Sequence, residues 1–181
     1  MGTMTIPTVV TTFRLCLVPV VMVGMVIQTQ NTWWVEGAFI LAAGTDWLDG
    51  YLARKLDQES ELGRFLDPLV DKLLVHGPLM TFVELGTIPA WPVFIILARD
   101  LMVSGWRVSG QEVPGANRWG KIKTLCQLIA IGCLLGPKQF MVDLPLTGFL
   151  EFSQQFGFII FWVSVVLTVV SGAIYMWPQK K

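Results

Sequence analysis

One charged stretch dominates this sequence, TDWLDGYLARKLDQESELGRFLDPLVDK at residues 45–72. It holds five Asp, two Arg and two Lys, and strongly apolar sequence lies on both sides. Of the 181 residues, 54% are apolar and 14% are charged, whereas a typical soluble domain has about 25% charged residues. The mean hydropathy is +0.61. This composition indicates a bilayer protein, and the formal net charge of zero gives no sign of a nucleic-acid partner.

Six segments are long enough to cross a bilayer, whose hydrocarbon core of about 30 Å needs about 20 apolar residues per helix. They are residues 9–28, 33–56, 61–85, 89–109, 117–136 and 155–177. We therefore predict an all-α, polytopic membrane protein with six transmembrane helices, formed as a single domain over residues 1–181. Residues 57–60 are predicted as a short polar turn. Residues 139–152, which contain Pro145 and Gly148, are predicted as a loop on the opposite side.

The basic residues give the orientation of these spans. Six spans place both termini on one side of the bilayer, and that side collects every Lys and Arg except Lys138. Loops rich in Lys and Arg stay in the cytoplasm. We therefore expect both termini and the 45–72 stretch to be cytoplasmic, in a multi-pass protein of a bacterial-type inner (plasma) membrane.

Two of the predicted helices carry carboxylates along one face. Four residues of the second helix share a face because they are spaced i, i+3, i+4 and i+7: Asp46, Asp49, Gly50 and Ala53. Three residues of the third helix share a face at spacings i, i+4 and i+8: Gly63, Asp67 and Asp71. A short turn makes these helices antiparallel neighbours. Four carboxylates can therefore converge on one pocket near the membrane boundary.

Converging carboxylates repel one another and resist burial, so protons or cations must neutralise them. Oxygen ligands suit Mg²⁺, Mn²⁺ or Ca²⁺, and two divalent ions would balance four negative charges. Such a pair also fits phosphoryl chemistry. A solvated turn explains Asp57, but it does not explain Asp67 and Asp71 among apolar residues, where ionisable groups are functional by default. Arg54, at the end of its helix, is placed to meet a phosphate.

These residues resemble the signature of the CDP-alcohol phosphotransferase family: Asp46-x-x-Asp49-Gly50-x-x-Ala53-Arg54, eight residues, then Gly63-x-x-x-Asp67-x-x-x-Asp71. Every signature position is filled at the right spacing. Residues 5–14 and 98–127 are similar to further motifs of the phosphatidylglycerophosphate synthase branch of that family. One position departs from the branch, because Thr8 stands where an Asn associated with the nucleotide site is usual.

The resemblance implies a membrane enzyme, usually a homodimer, that transfers a phosphatidyl group from CDP-diacylglycerol to glycerol 3-phosphate and releases CMP. It implies two divalent ions, Mg²⁺ or Mn²⁺, held by four carboxylates: Asp46, Asp49, Asp67 and Asp71. Asp71 corresponds to the proposed general base. The residues that correspond to the CDP-diacylglycerol site are Thr8, Gly50, Ala53, Arg54 and Gly63.

Basic residues on the fourth and fifth helices favour a phosphorylated acceptor over a cationic alcohol such as choline. The residues that we predict to bind the acceptor phosphate are Arg99, Arg107, Lys123 and Thr124. Lys123 and Thr124 share a polar helix face with Gly120 and Gln127, whereas Lys121 points about 100° away from Gly120. Membrane topology alone explains Arg118 and Lys121 equally well. The single histidine, His76, is assigned to helix packing.

Three alternatives stay open at this point. The acceptor could be inositol phosphate or phosphatidylglycerol in place of glycerol 3-phosphate. A small ion transporter could use the Asp cluster as a translocation site, but its charges should then be distributed across the membrane depth, and here they gather on one side. A non-catalytic membrane scaffold leaves the carboxylates inside the spans unexplained.

Overall fold

The computed structural model describes residues 6–27, 33–56, 61–108, 116–136 and 147–176, and every regular element in those ranges is an α-helix. The helices are α1 (Ile6–Ile27), α2 (Trp33–Leu56), α3 (Glu61–Glu84), α4 (Ala90–Val108), α5 (Ala116–Leu135) and α6 (Thr147–Met176). The all-α prediction is confirmed for this part of the chain. The first five helices begin and end close to the predicted positions.

The sixth helix begins earlier than the sequence predicts. Residues 147–152 were expected to belong to a loop because of Pro145 and Gly148, but α6 starts at Thr147 and includes Gly148. Pro145 precedes the helix and therefore interrupts none of its hydrogen bonds. A glycine in a helix costs only about 1 kcal/mol relative to alanine, which tertiary packing readily overrides. The other residues of that predicted loop, 139–146, and the predicted turn at 57–60 lie outside the described residues.

Two groups of helices carry most of the packing. α1 packs extensively against both α2 and α3, and α5 packs extensively against α6. α2 and α3 touch each other over a much smaller region than either shares with α1. α3 also contacts α4 and α5, so the helix that carries Asp67 and Asp71 is in contact with four other helices.

Glycines allow the closest approaches between helices. At Gly77 of α3, an added Cβ would lie 2.9 Å from Val18 Cγ1 of α1. At Gly157 of α6, it would lie 2.7 Å from the Cβ of Cys133 on α5. Small residues at helix contacts are the usual means of close packing in membranes, where lipid is as apolar as the side chains. These two glycines thus set the spacing of the α1–α3 and α5–α6 pairs.

α6 has the properties of a membrane span. Glu151–Ile174 is the one stretch among the described residues that is long and apolar enough to cross a bilayer by the usual length and hydropathy criteria. Thr11–Ile27 and Trp34–Thr45 are apolar but shorter. The buried hydroxyls of α6 bond to its own carbonyls, as when Thr168 Oγ1 donates to Ser164 O at 2.6 Å. The six-span topology stays a prediction.

Candidate functional site

The signature residues all lie on continuous helices. α2 runs through Leu56 and α3 begins at Glu61, so the backbone that carries each carboxylate pair has the helical periodicity on which the shared-face argument depends. The described side chains do not include those of three predicted metal ligands, Asp46, Asp49 and Asp67. The same holds for the surroundings of Thr8, Gly50, Ala53, Arg54, Gly63 and Arg107.

Asp71, the predicted general base, forms an ion pair between α3 and α1. Its Oδ1 accepts a hydrogen bond from Arg14 Nη1 at 3.1 Å. The Arg14 side chain is 2% exposed, whereas that of Asp71 is 49% exposed. A buried guanidinium therefore holds a half-exposed carboxylate in place. The sequence motif contained Arg14, but sequence reasoning gave it no role.

A cavity of about 790 Å³ opens beside Asp71 and is bounded by α2, α3, α4 and α5. Its wall contains Asp71 together with two of the predicted acceptor-phosphate residues, Arg99 and Thr124. These residues are far apart in sequence, and the fold brings them to one space. The cavity is therefore the candidate active site within the part of the chain whose side chains are described.

The carboxylate of Asp100 is the centre of a charged network in this wall. Its Oδ1 accepts hydrogen bonds from Arg99 Nη1 at 3.0 Å and from Lys123 Nζ at 2.5 Å. Its Oδ2 lies 3.7 Å from His76 Nε2. The Asp100 side chain is 13% exposed and that of Lys123 is 2% exposed. Lys123, a predicted phosphate ligand, is thus engaged by a carboxylate and buried behind the cavity.

A second polar link joins α3 to α4. Lys72 Nζ donates a hydrogen bond to Ser104 Oγ, and Ser104 Oγ donates to Asp100 O at 2.8 Å. The backbone and side chain of Asp100 are therefore both fixed by polar partners. Among the described residues, the cavity wall carries three cations, Lys72, Arg99 and Lys121, and two carboxylates, Asp71 and Asp100. With the buried ammonium of Lys123 the surplus is positive, which suits an anionic substrate.

Lys121 lines the cavity, on a different face of α5 from Lys123. Six residues of α5 line the cavity: Gly120, Lys121, Thr124, Leu125, Gln127 and Leu128. At about 100° per residue they cover an arc of roughly 160°, whose centre lies between Lys121 and Thr124. Lys121 therefore belongs to the cavity wall, whereas Lys123 lies about 120° from the arc's centre. The polar face predicted from the sequence includes Lys123 and not Lys121, because hydropathy does not reveal the direction of a cavity.

Two polar residues of the cavity wall received no functional role from the sequence. His76 was assigned to packing, yet it lines the cavity and is 3% exposed. Asp100 lies within the motif region at residues 98–127 but received no role. An available signal was the general rule that an ionisable residue inside a membrane span marks a functional site.

Among the described side chains, no three His, Cys, Asp or Glu residues lie close enough to hold a metal ion.

Comparison with known proteins decides the family. The family model described as CDP-alcohol phosphatidyltransferase matches residues 4–170. The chain belongs to this family. Among its most similar curated relatives is the CDP-diacylglycerol–glycerol-3-phosphate 3-phosphatidyltransferase of Bacillus subtilis, which is 39% identical over 92% of this chain and 91% of the relative.

Two further relatives carry the same description. The CDP-diacylglycerol–glycerol-3-phosphate 3-phosphatidyltransferase 2 of Arabidopsis thaliana is 35% identical over 95% of this chain and 78% of the relative. The Haemophilus influenzae protein, named without the final numeral, is 31% identical over 97% of this chain and 93% of the relative. The similarity to this family therefore extends over nearly the whole chain.

Proposed function

We propose that this protein is a membrane enzyme of phospholipid biosynthesis that transfers the phosphatidyl group of CDP-diacylglycerol to glycerol 3-phosphate. The products are phosphatidylglycerol phosphate and CMP. The observation that carries the proposal is the cavity in which Asp71 lies with Arg99 and Thr124. It provides a carboxylate for the attacking hydroxyl and cationic and hydroxyl groups for the acceptor phosphate. The relatives' names supply the identity of the substrates.

Asp71 acts as the general base in this mechanism. The carboxylate takes the proton of the acceptor's primary hydroxyl as that oxygen forms a bond to the lipid-side phosphorus, and the bond from this phosphorus to the CMP oxygen breaks. Arg14 orients Asp71 through the 3.1 Å contact at Oδ1. Because Arg14 is buried and Asp71 is half exposed, the base is held by the protein and still open to the cavity.

Two divalent ions, Mg²⁺ or Mn²⁺, fit the proposed donor set. The proposed ligands are Asp46, Asp49, Asp67 and Asp71. Each pair lies on one helix, and α3 continues as a helix through Pro68, which lies between Asp67 and Asp71. Carboxylate oxygens are the donors that these hard cations prefer. When bound, the ions would supply charge stabilisation to the diphosphate of the lipid substrate.

The nucleotide end of CDP-diacylglycerol is assigned to five residues of α1, α2 and α3: Thr8, Gly50, Ala53, Arg54 and Gly63. The contacts of α1 with both other helices support a common site for them. Small residues at 50, 53 and 63 allow a flat ligand to approach the backbone closely. Arg54 supplies a charge for the diphosphate.

The acceptor phosphate is assigned to four residues: Arg99, Arg107, Lys123 and Thr124. Arg99 and Thr124 line the cavity, and Lys121 adds a cation to the same wall. Lys123 acts indirectly in this proposal. Its ammonium neutralises the charge of the Asp100 carboxylate, so Arg99 retains a net attraction for phosphate. The proposed site thus combines direct contacts with a buried ion pair that sets its charge.

The proposal includes an arrangement in the membrane. A single domain over residues 1–181 crosses the inner (plasma) membrane six times, with both termini and the cavity mouth on the cytoplasmic side. Two copies form a homodimer. The distribution of Lys and Arg in the sequence and the apolar surface of α6 support the membrane arrangement. The homodimer rests on the resemblance to the family alone.

A comparison of three acceptors, each assayed separately in one membrane preparation, tests the proposed substrate. Membranes that contain the protein receive CDP-diacylglycerol and one of three acceptors: glycerol 3-phosphate, inositol phosphate or phosphatidylglycerol. We expect CMP release with glycerol 3-phosphate, at a rate well above the other two. Faster release with either other acceptor would overturn the assignment of glycerol 3-phosphate.

A further inference from the structure

His76 presents a fixed hydrogen-bond acceptor to the cavity. Its Nδ1 lies 2.8 Å from Lys72 O, one turn earlier on α3. A carbonyl oxygen can only accept, so Nδ1 carries the hydrogen and the neutral ring has its lone pair at Nε2. Nε2 is buried and has no hydrogen-bond partner among the described residues. The ring is therefore oriented by the helix backbone, with an unused acceptor atom in a residue that lines the cavity.

Gln127 provides a second unsatisfied group in the same wall. The residue is 2% exposed, and its Nε2 has no hydrogen-bond partner among the described residues. A buried amide nitrogen without a partner is costly, so natural proteins rarely retain one without a ligand or a water to satisfy it. Gln127 also lines the cavity. The wall thus offers a buried donor as well as the buried acceptor of His76.

The Asp100 network brings these two groups into one region. Lys123 is bonded to Asp100 Oδ1, and Asp100 Oδ2 lies 3.7 Å from His76 Nε2. Gln127 is one helical turn after Lys123 and therefore on the same side of α5. The 3.7 Å separation is too long for a hydrogen bond, so Asp100 leaves Nε2 unsatisfied.

We propose that His76 and Gln127 recognise the hydroxyl of the acceptor that does not react. His76 Nε2 accepts the hydrogen of this hydroxyl, and Gln127 Nε2 donates to its oxygen. The inference rests on the proposed function, in which Asp71 takes the proton of the primary hydroxyl. His76 is five residues from Asp71 on α3, about 7.5 Å along the helix axis and about 140° around it. The two residues therefore lie at opposite edges of the α3 face that lines the cavity, and the acceptor would extend across this face between them.

This arrangement predicts selection by the middle hydroxyl of glycerol 3-phosphate. A site built to hydrogen-bond a substrate hydroxyl rejects an analogue that lacks it, because its buried polar groups are then left unpaired. The informative analogue is 3-hydroxypropyl phosphate, which keeps the primary hydroxyl and the phosphate but has no hydroxyl on the middle carbon. Purified protein is assayed for kcat/KM with each acceptor, and the ratio of the two values is the specificity ratio.

Two substitutions at His76 form a matched pair. In H76N the side-chain amide lies near the position of Nδ1, and no atom replaces Nε2. In H76Q the longer side chain places its amide at about the distance of Nε2 from the backbone. We expect H76N to lower the specificity ratio by roughly 2- to 12-fold, the effect of one neutral hydrogen bond. H76Q should retain more of the ratio than H76N. Gln127→Leu should lower the ratio by a similar factor.

The outcomes separate this inference from the proposed function. If wild-type protein releases no CMP with either acceptor, the proposed function itself fails. If it uses both acceptors equally well, the hydroxyl-recognition site does not exist. An equal loss of kcat/KM for both acceptors in H76N and Gln127→Leu would make these residues structural and would overturn the inference.

Discussion

The ion pair between Asp100 and Lys123 yields a quantitative prediction for stability. The Lys123 side chain is 2% exposed and its Nζ lies 2.5 Å from Asp100 Oδ1. Removing one member of a buried ion pair leaves an uncompensated charge and costs about 3–5 kcal/mol. Asp100→Leu should therefore lower the free energy of unfolding by about 3–5 kcal/mol.

The companion substitution, Lys123→Met, should cost less than Asp100→Leu. Asp100 then still accepts the hydrogen bond from Arg99 Nη1 at 3.0 Å. In the double variant the buried ammonium and its carboxylate are both absent, so the two effects should not add. We expect a coupling of about 0.5–3 kcal/mol, so that the double variant is more stable than the sum of the single losses predicts.

The assay is reversible unfolding of the purified protein in mixed micelles, followed by helical circular dichroism. Lys121→Met is the matched control, because it removes an exposed lysine of the same helix and should change the free energy of unfolding by no more than about 0.5 kcal/mol. The reasoning is refuted if Asp100→Leu is as stable as the control, or if the two single losses add in the double variant.

Three further predictions concern the chemistry. EDTA should abolish CMP release and Mg²⁺ or Mn²⁺ should restore it, while Asp67→Asn should remain folded and inactive; full activity after removal of metal would exclude the proposed metal site. Ala53→Leu should raise the KM for CDP-diacylglycerol by steric exclusion, and a loss of thermal stability with normal KM would show that Ala53 only allows helices to pack. Arg14→Ala should lower kcat by up to about 100-fold because Asp71 is then misplaced, and Arg14→Lys should recover part of the loss. An unchanged kcat in Arg14→Ala would remove Arg14 from the mechanism.

The helices could be predicted because their signals are local. Apolar length and polar ends located α1 to α5, and the periodicity of Asp67 and Asp71 needed only a continuous helix, which α3 provides. The start of α6 at Thr147 was missed because Pro145 and Gly148 are typical of loops. A proline just before a helix and a glycine in its first turn are both compatible with the helix, because neither removes one of its internal hydrogen bonds.

The polar contacts of the site could not be predicted because they join distant parts of the chain. Arg14 and Asp71 are 57 residues apart, and Asp100 and Lys123 are 23 residues apart. Sequence spacing fixes which residues share a face of one helix, but it does not fix the direction in which that face points. This is why Lys123 was preferred to Lys121 as a phosphate ligand, although Lys121 is the lysine of α5 that lines the cavity.

The most direct test of the central claim is CMP release by the purified protein. CMP and lipid products are quantified with CDP-diacylglycerol alone, with glycerol 3-phosphate alone and with both, for the wild type and for Asp71→Asn. The account predicts CMP and phosphatidylglycerol phosphate in equal amounts only when both substrates are present, and neither product from Asp71→Asn. CMP release that does not depend on glycerol 3-phosphate, or full activity of Asp71→Asn, would contradict it.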